Sequence, residues 1–126
     1  MKPEQAIFNT VVKHLLTQNK KSMDSTGGAM RREICAYRGE GGLKCAVGCL
    51  IPDELYTPNM EGVDALWIAT DHPELKVVPA FDEAYRALLG DLQTVHDCNP
   101  PELWPRVLSE LAVEYELTLP TELENA

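Results

Sequence analysis

A chain of 126 residues, 44% of them apolar, is long enough to bury a core without metal or disulfide help, which excludes wholesale disorder and predicts one domain spanning 1–126. The net charge of −9 is divided: residues 1–49 carry eight Lys/Arg against four Asp/Glu, net +4, and residues 50–126 carry three against sixteen, net −13, a field that disfavours bulk nucleic-acid or anionic-membrane binding. No apolar run approaches the roughly 20 residues of a membrane helix, and no secretory signal is visible, so the four cysteines are expected as reduced thiols in a cytoplasmic protein.

Residues 4–18, EQAIFNTVVKHLLTQ, predict an amphipathic helix. Ile7, Phe8, Val11, Val12, Leu15 and Leu16 recur at three and four, and His14 lies beside that face. Residues 19–33 have no periodicity and read as a long loop containing Gly27-Gly28 and the cations Lys20, Lys21, Arg31 and Arg32. Neither this loop nor GEGGLK matches the phosphate-cradling G-x-x-x-x-G-K-[ST] pattern, and Glu40 would repel a phosphate.

Two strand-like runs follow, Ile34–Arg38 and Leu43–Val47, separated by Gly39, Glu40, Gly41 and Gly42. A glycine-rich loop between two such runs predicts a β-hairpin, because glycine supplies the positive φ that the loop needs. A five-residue loop sets Cys35 opposite Cys45, and a four-residue loop sets Ala36 there instead. Helices must cover one face of so small a ribbon. Pro52 then opens a short turn, PDELY, which Pro58 and Gly62 close.

The words Cys35-Ala36-Tyr37-Arg38, Gly42 to Gly48, and Leu50-Ile51-Pro52-Asp53-Glu54 with Tyr56, Pro58, Met60, Glu61 and Gly62 resemble a motif of small uncharacterised proteins of tailed phages and proteobacteria. The resemblance covers about a quarter of the chain and carries no established activity. It implies a phage or bacterial origin, hence the host cytoplasm if phage-encoded. It also suggests an accessory role, since small phage proteins often inhibit or sequester host factors.

Val63–Thr70 is apolar and short, and its periodicity leaves helix and strand open. Asp71 resembles an N-cap ahead of Pro73 and Glu74. Residues 80–96 predict a helix on the spacing of Phe81, Ala84, Tyr85, Leu88, Leu92 and Val95, with Gly90 as its weak point. Because an interior proline costs about 3 kcal/mol, the last helix is placed from Pro105 onward, Glu102–Trp104 forming a separate turn. The expected fold is α+β: a small β-hairpin packed against about four α-helices, with Trp67, Phe81, Tyr85, Leu88, Leu108 and Leu111 in the core.

Three chemistries compete. A non-catalytic protein would present Arg31, Arg32, Arg38 and Lys44 to a host protein or a small anionic ligand. A zinc module would use Cys35, Cys45 and Cys49 with Cys98 or His96 as the fourth ligand. Only Cys45-x₃-Cys49 has the usual ligand spacing. A cysteine-dependent enzyme would pair Cys45 with His14, His72 or His96. The first is the leading expectation, without a cofactor; oligomeric state is not legible.

Overall fold

The structure, a computed structural model, describes residues 2–26 and 32–120, with the backbone alone for 24–26 and 32–34. Gly27-Gly28, Arg31 and the acidic tail from 121 lie outside the described residues. The elements are α1 (Pro3–Gln18), β1 (Met23–Thr26), β2 (Arg32–Cys35), α2 (Ile68–Asp71), α3 (Arg86–Cys98) and α4 (Trp104–Glu114), joined by turns of 3-10 helix.

Helix α1 forms where the periodicity placed it. Pro3 opens it, Asn19 ends it in the left-handed region at φ 51°, and Ile7, Phe8, Val11, Val12 and Leu15 face inward. Helix α4 likewise opens with Trp104 and Pro105, after a separate 3-10 turn at Pro101–Leu103. α1, α3 and α4 pack pairwise around one core, in which Trp104, Phe8, Leu15, Met60, Ile68, Leu75, Leu92 and Leu108 are closed to solvent. Trp104 keeps its indole N–H satisfied by donating to the Asn99 carbonyl at 3.0 Å.

The expected α+β class is overturned: among the described residues the chain is predominantly helical. Residues 34–47 do not form the expected hairpin. Cys35 and Ile34 pair with Met23 and Asp24 instead, in a ribbon of four residue pairs drawn from the stretch expected as a loop. Beyond it the chain folds back at a single bridge, Arg38 with Lys44, around a 3-10 turn at Glu40–Gly42.

The physical reason lies in residues 45–47. Cys45, Ala46 and Val47 are all fully buried, whereas a strand covered on one face would bury alternate residues. They instead enter a tight turn, held by Cys49 N–H donating to the Cys45 carbonyl and Gly48 N–H donating to Cys45 Sγ. Glycine is required at 48: a Cβ there would stand 2.9 Å from the Tyr37 carbonyl carbon and closer still to its oxygen.

Glu61 locks this region. Its carboxylate accepts the backbone N–H groups of Tyr37 (2.9 Å) and Arg38 (3.0 Å) and the hydroxyl of Tyr56 (2.6 Å). The Tyr37 hydroxyl donates in turn to the Val63 carbonyl. The motif words of the sequence therefore meet in one knot.

Two further expectations are corrected. The helix expected over 80–96 begins only at Arg86, because Asp82 is extended and caps Ala84 N–H, dividing residues 79–85 into two 3-10 turns. Asp71 ends α2 and caps nothing there, His72 standing before the 3-10 turn at Pro73–Val77. Phe81, Leu88, Leu108 and Leu111 are buried as expected and Tyr85 partly so, but Trp67 is 51% exposed.

Gly48→Ala is expected to lower stability by about 1–3 kcal/mol, because the Tyr37 backbone cannot move aside as a flexible side chain would. Urea denaturation of the two proteins measures it, and equal midpoints would contradict the packing described. His14 supplies a pH test. Burial pulls its pKa below 6.5, against the bond it donates from Nε2 to the Lys44 carbonyl at 2.8 Å. The unfolded chain therefore binds the proton more readily. The contribution of His14 is complete above pH 6.5 and declines as the pH falls through that value. His14→Gln is expected to flatten the change in denaturation midpoint between pH 7.5 and 5.

Candidate functional site

Chemistry-bearing side chains meet where α3 faces the entry to β1. His96 is fully buried and stacks on Trp104, ring centroids 5.5 Å apart. Its Nε2 accepts the backbone N–H of Ser22 at 2.9 Å, so its proton sits on Nδ1, which donates to Asp97 Oδ1 at 2.7 Å. Asp97 also accepts Gln93 Nε2 at 2.8 Å, while Gln93 Oε1 accepts the backbone N–H of Val47 at 3.0 Å. Lys21 Nζ donates to the Asp97 carbonyl at 3.1 Å. The Cys35 thiol lies between the Asp97 carboxylate and Met23 Sδ, 3.7 Å away.

This network sets the ionisation of its members. Burial raises the carboxyl of Asp97, but hydrogen bonds from His96, Cys35 and Gln93 together outweigh it and leave the pKa below the usual carboxylate value. Burial, then the Asp97 charge, pushes the Cys35 thiol up to about 11. Burial pushes Cys45 and Cys49 up to about 12. A nucleophilic cysteine needs the opposite shift, since the thiolate is the reactive species.

The trio Cys35, His96 and Asp97 presents ligand atoms within 4.8 Å of one another. Cys45, Cys49 and Cys98, expected as zinc ligands, do not join that group. Cys45 accepts from Gly48 N–H, Cys49 donates to the Ala46 carbonyl, Cys98 is exposed, and all four cysteines are free. A cation bound at His96 Nδ1 would require that nitrogen's lone pair while Nε2 still accepts Ser22 N–H. Either both ring nitrogens lose their protons or the buried Ser22 amide is orphaned, at about 1–3 kcal/mol. The trio is built as a clamp of hydrogen bonds, joining Ser22, Cys35 and Val47 to α3.

Two cations of the expected anion site, Arg38 and Lys44, share one carboxylate, that of Asp53. Arg38 pairs through Nη1 with the exposed carboxylate of Asp53, donates from Nη2 to the Ile51 carbonyl, and lies 5.0 Å over the Tyr56 ring. Lys44 Nζ stands 3.7 Å from the same carboxylate. The Arg38 and Lys44 charges hold the Asp53 carboxyl below its ordinary value, the Arg38 hydrogen bond contributing most. Arg32 is placed by its backbone in β2, and Arg31 is outside the described residues. The four cations thus do not appear as a described cluster.

The second feature is an open surface. Trp67 lines a cleft of about 400 Å³ with Leu66, Ala69, Phe81, Arg86 and Leu89. The Arg86 guanidinium lies 4.9 Å over the indole ring, 3.2 Å from Glu83 and 3.4 Å from the Thr70 hydroxyl, which fixes the ring's orientation. About half of the roughly 150–250 Å² that an aromatic side chain can bury remains in water. At about 25 cal/mol per Å², covering it is worth about 2–3 kcal/mol.

Sequence reasoning had His96 as a possible ligand and passed over Asp97 and Gln93. Their separation by four residues on a helix was the available signal, since such pairs share a face. The exposure of Trp67 carried no sequence signal. No protein-family model matches the chain, and neither a curated protein nor a solved structure matches it.

Two outcomes test the clamp. His96→Ala is expected to cost about 3–5 kcal/mol, through the orphaned Ser22 amide and the space left beside Trp104. The purified protein is expected to carry no stoichiometric zinc by atomic emission, and EDTA to leave its Tm unchanged. Zinc at one equivalent that Cys35→Ser removes would establish a metal centre instead.

Proposed function

We propose that the protein is a non-catalytic accessory protein, of phage or bacterial origin and acting in the cytoplasm, that works by binding another protein. The carrying observation is the contrast at Trp67: His96, Asp97, Gln93, Cys45 and Cys49 are engaged in internal bonds, while a large aromatic stands 51% exposed beside a cleft. Aromatic and arginine side chains held rigid at a surface are the residue types that dominate binding energy in protein interfaces. The small-anion reading is weaker, because an anion at Arg38 and Lys44 must displace Asp53. The zinc and cysteine-enzyme readings meet the proton on His96 Nδ1 and the raised thiols.

No described helix is long and apolar enough to cross a membrane, which agrees with a partner met outside the bilayer core.

The test uses a photo-reactive p-benzoylphenylalanine placed at Trp67 or at Val113, which is 80% exposed on α4. Irradiation of expressing host cells is expected to give a discrete adduct, the same protein by mass spectrometry each time, from position 67 and none from 113. Iodoacetamide at neutral pH is expected to modify Cys98 ahead of Cys35, Cys45 and Cys49. A rapid, selective reaction at Cys35 or Cys45 together with no adduct at 67 would contradict the proposal.

A further inference from the structure

We infer that the partner which docks on the Trp67 cleft is a basic protein segment carrying an apolar anchor residue. The inference rests on the binding reading above and adds the partner's chemistry.

Leu66 and Trp67 are 38% and 51% exposed at the cleft, and Ala69, Phe81 and Leu89 line it. Val77, next in sequence to the cleft-lining Lys76, is 77% exposed. An apolar side chain entering here meets an indole whose position is already held by the Arg86 guanidinium, 4.9 Å over the ring.

Between residues 64 and 86 the chain exposes the carboxylates of Asp64, Asp71, Glu74, Asp82 and Glu83. The cations of the same stretch are Lys76 and Arg86, and Arg86 is committed to Glu83 and Trp67. The cleft lining itself carries Asp82 and Glu83 against Lys76 and Arg86, and Asp64, Asp71 and Glu74 bring the stretch that builds it to five carboxylates against two cations, in keeping with the −13 carried by residues 50–126. Such a balance repels nucleic-acid phosphates, anionic headgroups and acidic peptides. It attracts lysine and arginine, and complementarity of this kind selects partners and speeds encounter.

The probes are two fluorescein-labelled peptides of equal length, one built of Leu and Lys, the other of Leu and Glu, followed by anisotropy against the full chain. The Leu/Lys peptide is expected to bind saturably and at least tenfold tighter than the Leu/Glu peptide. Trp67→Ala is expected to weaken it at least tenfold, and Asp71→Lys with Glu74→Lys several-fold, with Val113→Ala unchanged. Unchanged circular dichroism shows that each variant is folded. Binding that survives Trp67→Ala, or that does not distinguish the two peptides, overturns the inference, as does no binding of either. In each of those cases a persisting adduct at position 67 leaves the binding reading standing, and loss of that adduct removes both.

Discussion

One buried imidazole holds the irregular half of this molecule to the helical half. Ser22 immediately precedes β1, Cys35 ends the four-residue β2 and Val47 lies in the turn beyond, so little regular secondary structure fixes any of them. Each is tied to α3 through His96, Asp97 or Gln93. Ser22 is itself fully buried and donates its hydroxyl to the Ala36 carbonyl at 2.7 Å. An amide and a hydroxyl in that position must find partners inside the protein, because water cannot reach them. The choice of tautomer on His96 therefore decides whether the whole arrangement is satisfied. With the proton on Nδ1 every donor in the chain of bonds has an acceptor. With it on Nε2, two N–H groups would face each other.

The same logic accounts for how much of the polar and reactive chemistry around α3 is engaged in internal bonds. Thiols, imidazole and carboxylates are common at active sites, but activity requires groups held ready to exchange protons or electrons with a substrate. Here Asp97 serves as the common acceptor, which stabilises its ionised form and also keeps the neighbouring Cys35 thiol protonated. Glu61 plays an equivalent part on the far side of the turn, spending both oxygens on Tyr37, Arg38 and Tyr56. Two carboxylates thus organise the segment in which regular secondary structure is sparsest. The indole of Trp67, by contrast, stands 51% exposed.

Much of the helical frame was legible. α1 and α4 have periodic apolar faces and prolines at their first turns, so pattern and stop signals agree. The middle of the chain was not, for identifiable reasons. Cys45-Ala46-Val47 is a short apolar run, and periodicity cannot separate a strand from a buried turn over three residues. Met23–Thr26 is only four residues long and mostly polar, so its pairing with β2 is set by tertiary contacts. Asp82 looked like one more polar residue on a helix face, but its side chain makes a cap that interrupts the helix. Trp67 was assigned inward because it is large and apolar, a rule that works in one direction only, since folded proteins keep much apolar surface in water. The adjacency of His96 and Asp97 could be read from the chain, but the Ser22 amide that makes it a clamp lies 74 residues away.

The tautomer of His96 is the most direct test, because both the structural clamp and the case against a metal centre follow from it. Long-range proton–nitrogen correlation NMR of the labelled imidazole ring distinguishes the two forms. The account predicts a protonated Nδ1 and a bare, hydrogen-bond-accepting Nε2 with a nitrogen shift to match. A proton on Nε2, or a metal-bound Nδ1, would contradict it.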